Sequence, residues 1–226
     1  MATSVTTPAG RAVPAADSNR WTWLVQWVKR HKQVAAYLGM IGGVVAVLFV
    51  WYLWSNRTAE RTAGAQLEQA RLAVDSRNFG LAASELARLV ENYAGTRAAQ
   101  EGTILLAQVR LAQGQNQLAI DLLKRFAPDA GKAYQAQAYG LLGAAYENAA
   151  RPKDAAEAYQ RAAEVARLPF LHTQFLSDAG RAWVAAGDTA RALAAYRAIL
   201  QGSDTAGAAV EAKVRIGELT RGAVQP

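Results

Sequence analysis

The chain has 226 residues, a formal net charge of +7, no cysteine and only two histidines, His31 and His172. Without cysteine there is no disulfide, thiolate nucleophile or Cys-based zinc site, and two widely separated histidines make no His-rich metal site. The charge is uneven: Arg11, Arg20, Lys29, Arg30 and Lys32 face Asp17 alone before residue 33, about +4 of the +7, and basic charge beside an apolar segment points to anionic headgroups, not nucleic acid.

Residues 1–19, MATSVTTPAGRAVPAADSN, are small, polar or proline. They bury too little apolar surface to offset chain entropy, which predicts a disordered arm. Residues 20–32, RWTWLVQWVKRHK, place Trp23, Leu24, Trp27 and Val28 at helical spacing among Arg20, Lys29, Arg30 and Lys32. Two readings fit: a basic amphipathic helix at the membrane surface, or the start of a membrane helix with an aromatic belt.

Residues 33–56 hold Val34 to Trp54, VAAYLGMIGGVVAVLFVWYLW, without a charge. About 20 apolar residues at 1.5 Å rise cover roughly 30 Å, a bilayer's hydrocarbon thickness, which predicts a single transmembrane helix. The apolar run is too long for a cleavable signal, and bulky Trp51, Tyr52 and Trp54 stand where a small-x-small cleavage site would be needed. The Lys/Arg bias before the segment predicts a cytoplasmic N-terminus and an extracytoplasmic body, periplasmic in a bacterial inner membrane. Ala35, Gly39 and Gly43 repeat every four residues. That face either packs on another membrane helix, from a second copy or a partner, or faces lipid with incidental glycines.

Beyond residue 58 the chain is rich in Ala, Leu, Gln, Glu and Arg, with no alternating strand pattern. This composition predicts an all-α body. Residues 135–163 carry Tyr139, Leu142, Gly143 and Tyr146 on one helical face, then Ala155, Tyr159 and Ala162 on a second, with Pro152 at the second helix start. The pattern recurs as Leu176, Ala179, Gly180, Trp183 with Ala192, Tyr196, Ile199, and as Thr103, Leu106, Ala107, Arg110 with Ala119, Leu123, Phe126. A degenerate first unit has Gln66, Gln69, Ala70, Ala73 with Ala82, Leu86, Leu89. In all four, the small residue of the first helix precedes the alanine of the second by twelve positions. The pattern resembles the tetratricopeptide repeat, implying four stacked helical hairpins over 58–204 in an α-solenoid. The period here is 36–37, and the consensus proline is displaced to Pro128 and Pro169. A capping helix over 205–221 is expected, with Val210, Val214 and Leu219 inward and Glu211, Lys213, Arg215 and Glu218 outward.

The aromatic residues of these units read as core, since their period matches packing, and Asp154, Glu157 and Glu164 read as a solvated face. The resemblance implies a groove lined by first helices, here Leu67, Arg71, Asp75; Ile104, Gln108, Leu111; Gly140, Ala144, Asn148; and Ser177, Arg181, Val184. Its Lys/Asn carboxylate clamp is absent, so a sequence-tolerant groove for protein segments is expected. No Ser/His/Asp set, phosphate-cradling loop or metal-ligand spacing is present; the chain reads as a non-enzyme with no cofactor.

The whole architecture, with WVKRHK before the anchor, WYLW at its end and ENYAGT in the first unit, resembles the YfgM-like family. That resemblance implies an ancillary subunit of the SecYEG translocon that passes emerging chains to periplasmic chaperones. The alternative is a self-assembling envelope organiser, for cell division or outer-membrane assembly, that dimerises through Gly39 and Gly43.

Overall fold

The computed structural model describes residues 26–27, 29–202 and 206–220, without the side chains of residues 35, 38, 39, 53, 56 and 206. The expected arm over 1–19, with Trp23, Leu24 and Val28 and the packing positions Ala35 and Gly39, lies outside what is described. Among the described residues the helices are α1 (Lys32–Asp75), α2 (Phe79–Asn92), α3 (Arg97–Ala112), α4 (Asn116–Phe126), α5 (Gln135–Asn148), α6 (Pro152–Val165), α7 (Pro169–Ala185), α8 (Thr189–Gly202) and α9 (Ala206–Thr220). The chain divides into two units, Met1–Ser55 and Asn56–Pro226.

In the first unit the backbone leaves the helix at His31 before α1 begins. The His31 N–H donates to the Trp27 carbonyl at 2.9 Å, and the two rings lie 5.5 Å apart, tilted. The apolar segment expected over 33–56 belongs to α1. Tyr37, Met40, Ile41, Val47, Phe49, Trp51 and Trp54 are all exposed, and none of its most apolar window, of mean hydropathy 1.3, is buried. Among the described residues, nothing beyond its chain neighbours and the helix's own backbone lies within 4 Å of where a Cβ on Gly43 would stand.

The second unit starts with the end of α1, which packs on α2; α3 packs on α4, α5 on α6 and α7 on α8, and α9 covers the last hairpin. Each hairpin closes on its pair of small residues. Ala70 and Ala82, Ala107 and Ala119, Gly143 and Ala155, Gly180 and Ala192 are all buried. In the last two hairpins a tyrosine of the second helix fills the space beside the glycine. A Cβ on Gly143 would stand 2.6 Å from the Tyr159 ring, and one on Gly180 would stand 2.7 Å from Tyr196. Leu86, Leu89, Leu106, Ile120, Leu123 and Trp183 fill the larger gaps.

Every first helix ends in the same way. The N–H of residue 78, 115, 151 or 188 donates to the carbonyl five residues back, and the N–H of 77, 114, 150 or 187 donates to the carbonyl three back, all at 2.8–3.0 Å. This Schellman arrangement needs a left-handed residue just past the helix. Gly114 (φ 71°) and Gly187 (φ 77°) meet that need freely, but Arg77 (φ 58°) and Ala150 (φ 55°) occupy the same conformation with a Cβ. Just after the first of these turns Asn78 Oδ1 caps α2, accepting from the Leu81 N–H at 3.3 Å, and after the third Pro152 opens α6, at the helix start expected of it. Both left-handed side chains are exposed, so Arg77→Gly and Ala150→Gly remove strain of about 1–2 kcal/mol each. The greater freedom of glycine in the unfolded chain offsets part of that. Each variant should gain about 0.5–1 kcal/mol in chemical denaturation; a loss at either position would refute the strain argument.

Connections between hairpins are individually fastened. Thr96 Oγ1 accepts from the Ala99 N–H at 3.0 Å, and Glu60 of α1 accepts from the Arg97 and Ala98 N–H groups at 3.0 and 3.2 Å. A carboxylate at a helix start satisfies orphan donors and complements the dipole. Pro128 sits in a 3₁₀ turn (Ala127–Asp129) and Pro169 opens α7, so these displaced prolines shape the links between repeats.

The last helix is turned relative to expectation. Ala212 and Ile216 are buried, with Leu219 partly so, whereas Val210 and Val214 are 61% and 53% exposed. Leu219 and Ile216 share one side of α9, and the two valines stand on a different stripe. The expected outward residues Glu211, Lys213, Arg215 and Glu218 are exposed.

Candidate interaction grooves

Stacking turns one face of each first helix toward a shared surface. Two open depressions lie on it. The front groove, about 370 Å³, is lined by Arg71, Val74 and Asp75 of α1, Glu101, Ile104, Leu105 and Gln108 of α3, and Tyr134 and Gln137 at the start of α5. The rear groove, about 410 Å³, lies between α7, α8 and α9 and is lined by Phe170, Gln174, Ser177, Asp178, Arg181, Tyr196, Glu211 and Arg215 among others.

Between them α5 and α7 close on each other. Gly140, expected as a groove position, is covered instead: a Cβ there would stand 2.5 Å from the Phe175 ring. Beside this contact, Tyr159 Oη donates to Glu147 Oε2 at 2.7 Å. Arg181 Nη1 donates to Glu147 Oε1 at 2.8 Å and its Nη2 to Asp178 Oδ1 at 3.0 Å. One guanidinium thus bridges carboxylates on two first helices.

Arg71 is held alike, by Glu68 at 2.6 Å on its own helix and by Glu101 across the front groove. Arg71 and Arg181 are therefore paired, and the third groove arginine, Arg215, pairs with Glu218 at 3.0 Å. Exposed pairs of this type contribute about 0–1 kcal/mol, so their effect is mainly to hold the guanidinium plane. A groove whose cations are already matched presents hydrogen-bonding edges, not a net positive clamp.

Arg71, Asp75 and Gln108 line the front groove and Ser177 and Arg181 the rear one. Leu67 is a correction: at 4% exposure it belongs to the core of the first hairpin. Ile104, at 5%, is the back wall of the front groove. Leu111 packs on the core, and the Asn148 carbonyl accepts from Asn116 Nδ2 at 3.1 Å, joining two turns. Val184 is exposed and lines neither groove. Gln137 and Gln174 were missed, although each stands three residues before a predicted position, Gly140 and Ser177, on the same helical face. Phe175 carried no such signal, because it reads as plain core.

Burial raises the phenol pKa of Tyr159, and its hydrogen bond to Glu147 raises it further; burial also raises Tyr146 and Tyr196. The folded pKa values exceed the unfolded ones. The associated stability is therefore whole below about pH 10, the ordinary tyrosine value, and is lost as pH rises above it. Urea midpoints should fall between pH 9 and pH 11. The fall should shrink in Tyr159→Phe; an equal fall in that variant would contradict this origin.

No family model matches the sequence, and no curated protein does. Solved structures do match. The MamA protein is 19% identical, with a TM-score of 0.56 over 71% of this chain and 82% of that one. A Podosopora anserina kinesin light chain with nearly identical TPR-like repeats is 17% identical, with a TM-score of 0.53 over 70% and 84%. The fold is a tetratricopeptide-type array. At this identity the likeness carries the fold alone.

Proposed function

We propose that this protein is a membrane-anchored interaction scaffold, without enzymatic activity, whose repeat array binds protein segments outside the cytoplasm. In this reading α1 supplies a single-pass anchor in a bacterial inner membrane, with the N-terminus cytoplasmic. The array serves beside the SecYEG translocon, as an ancillary subunit or a chaperone-like adaptor between emerging chains and periplasmic chaperones. The observation that carries the binding role is the pair of open grooves lined by mixed apolar, polar and charged side chains, with their arginines paired to carboxylates. Such a surface suits chain segments of varied sequence better than one charged motif. The bare apolar side chains of α1 support the anchor, because a contiguous exposed surface of this kind needs a hydrophobic partner.

The test is photocrosslinking in cells with the probe at position 108 in the front groove and 174 in the rear one. Translocon subunits or secreted chains should be captured from both. Capture of cytosolic proteins only would overturn the orientation and the role together. Capture of other copies of this chain alone would favour the envelope organiser.

A further inference from the structure

The front groove carries a charge opposite in sign to that of the chain. Among its lining residues Asp75 and Glu101 face one cation, Arg71, and Arg71 is already engaged by Glu68 and Glu101. Three carboxylates thus share one guanidinium, in a protein of net charge +7. Asp75 is exposed and has no hydrogen bond or ion pair among the described residues. It is the last residue of α1, where the helix dipole disfavours a negative charge. The helices α3, α5 and α7 end on the uncharged Ala112, Asn148 and Ala185. Neither packing nor helix stability accounts for an aspartate at this place. Beside the carboxylates the groove is apolar: Ile104 is buried, and Val74, Leu105 and Tyr134 are partly so. The groove lies between consecutive hairpins inside the array, so its form does not depend on where the chain starts or stops.

We propose that the front groove selects partner protein segments that carry lysine or arginine beside an apolar residue. The cation sits at Asp75 and Glu101, and the apolar side chain lies on Val74, Ile104 and Leu105. The inference rests on the binding role proposed above and adds the sign of the charge to it. The selection is by sign and not by motif, because complementary potential steers and discriminates partners without fixing a sequence. Gln108 and Gln137, exposed and without side-chain hydrogen bonds among the described residues, are placed to meet the backbone of the segment. A bound cation relieves the repulsion between Asp75 and the end of α1. The same sign turns away nucleic acid and anionic headgroups. The chain's own basic stretch, residues 20–32, has matching chemistry, but it lies on the other side of the membrane in the topology proposed above.

The probes are labelled peptides of one length and one leucine content that carry lysine, glutamine or glutamate at the same positions. They are titrated by fluorescence anisotropy against the full chain in nanodiscs of uncharged lipid at low salt, with empty nanodiscs as the blank. The lysine peptide should bind saturably, the glutamine peptide about threefold more weakly and the glutamate peptide about tenfold more weakly. Added salt should shrink the lysine advantage. Asp75→Asn should remove most of it and Asp75→Lys all of it, while the melting temperature of either variant holds or rises; a carboxylate with a purely structural role would lower it on removal. Equal affinity for the peptides, or an undiminished lysine advantage in Asp75→Lys, overturns the charge selection and leaves the binding role standing. Absence of saturable binding also overturns the inference, and capture of secreted chains at position 108 in cells would still uphold that role. If a photocrosslinker at position 75 in cells captures only residues 20–32 of this chain, the occupant is the chain itself and the assignment to a partner is overturned.

Discussion

Gly143→Val should destabilise the repeat unit by about 2–3 kcal/mol. The new Cβ would lie 2.6–2.8 Å from three carbons of the Tyr159 ring, closer than van der Waals contact allows, and neither helix backbone can retreat without opening the pair. Overpacking of this kind costs about 1–3 kcal/mol. Displacing the ring also breaks its hydrogen bond to Glu147, worth about 1 kcal/mol. The better helix propensity of valine returns only about 0.5 kcal/mol. Thermal midpoints should fall by roughly 5–10 °C. Gly180→Val should do the same through Tyr196. Two comparisons make the result specific. Gly80→Ala, at an exposed position of α2 with nothing near an added Cβ, should raise stability by about 0.5–1 kcal/mol. The double variant Gly143→Val/Tyr159→Leu should be less damaged than its single changes summed. Additive losses, or equal effects at Gly80 and Gly143, would mean that the glycine does not set the helix approach.

The second large effect concerns α1. Val47 and Leu48 are both exposed in the middle of the apolar run. If this run spans a bilayer, Val47→Arg and Leu48→Arg each cost about 2.5–3.5 kcal/mol at the membrane centre. Together they should move the protein from the carbonate-resistant membrane pellet to the soluble fraction, while the repeat unit keeps its circular dichroism and melting temperature. Extraction of the unaltered protein by carbonate would refute the anchor and, with it, the topology proposed above.

The parts legible in the sequence are those governed by local spacing. The twelve-residue interval between Ala70 and Ala82, Ala107 and Ala119, Gly143 and Ala155, and Gly180 and Ala192 could be read directly, because only small residues let two helices of a hairpin approach. Tyr146, Trp183 and Leu123 could be placed in the core by the same period. Glycine at 114 and 187 suits the left-handed turn position by residue type, unlike Arg77 and Ala150. Those are held by hydrogen bonds back into the helix, and no residue type announces them. The groove was legible only as a register: Arg71, Gln108 and Arg181 fall on it, whereas Leu67 and Gly140 are covered by what packs beside them.

The sequence alone determined the helical period, the hairpin pairing and the charge-free stretch from Val34 to Trp54. Each is a relation between residues close in the chain, set by backbone geometry and side-chain size. Only the tertiary structure decided that Phe175 covers Gly140, that Arg181 reaches back to Glu147, and that α9 buries Ala212 and Ile216 while leaving Val210 and Val214 exposed. Which side of a helix meets a neighbour depends on how successive repeats cross. That angle arises from the packing of residues tens of positions apart, which no single helix encodes.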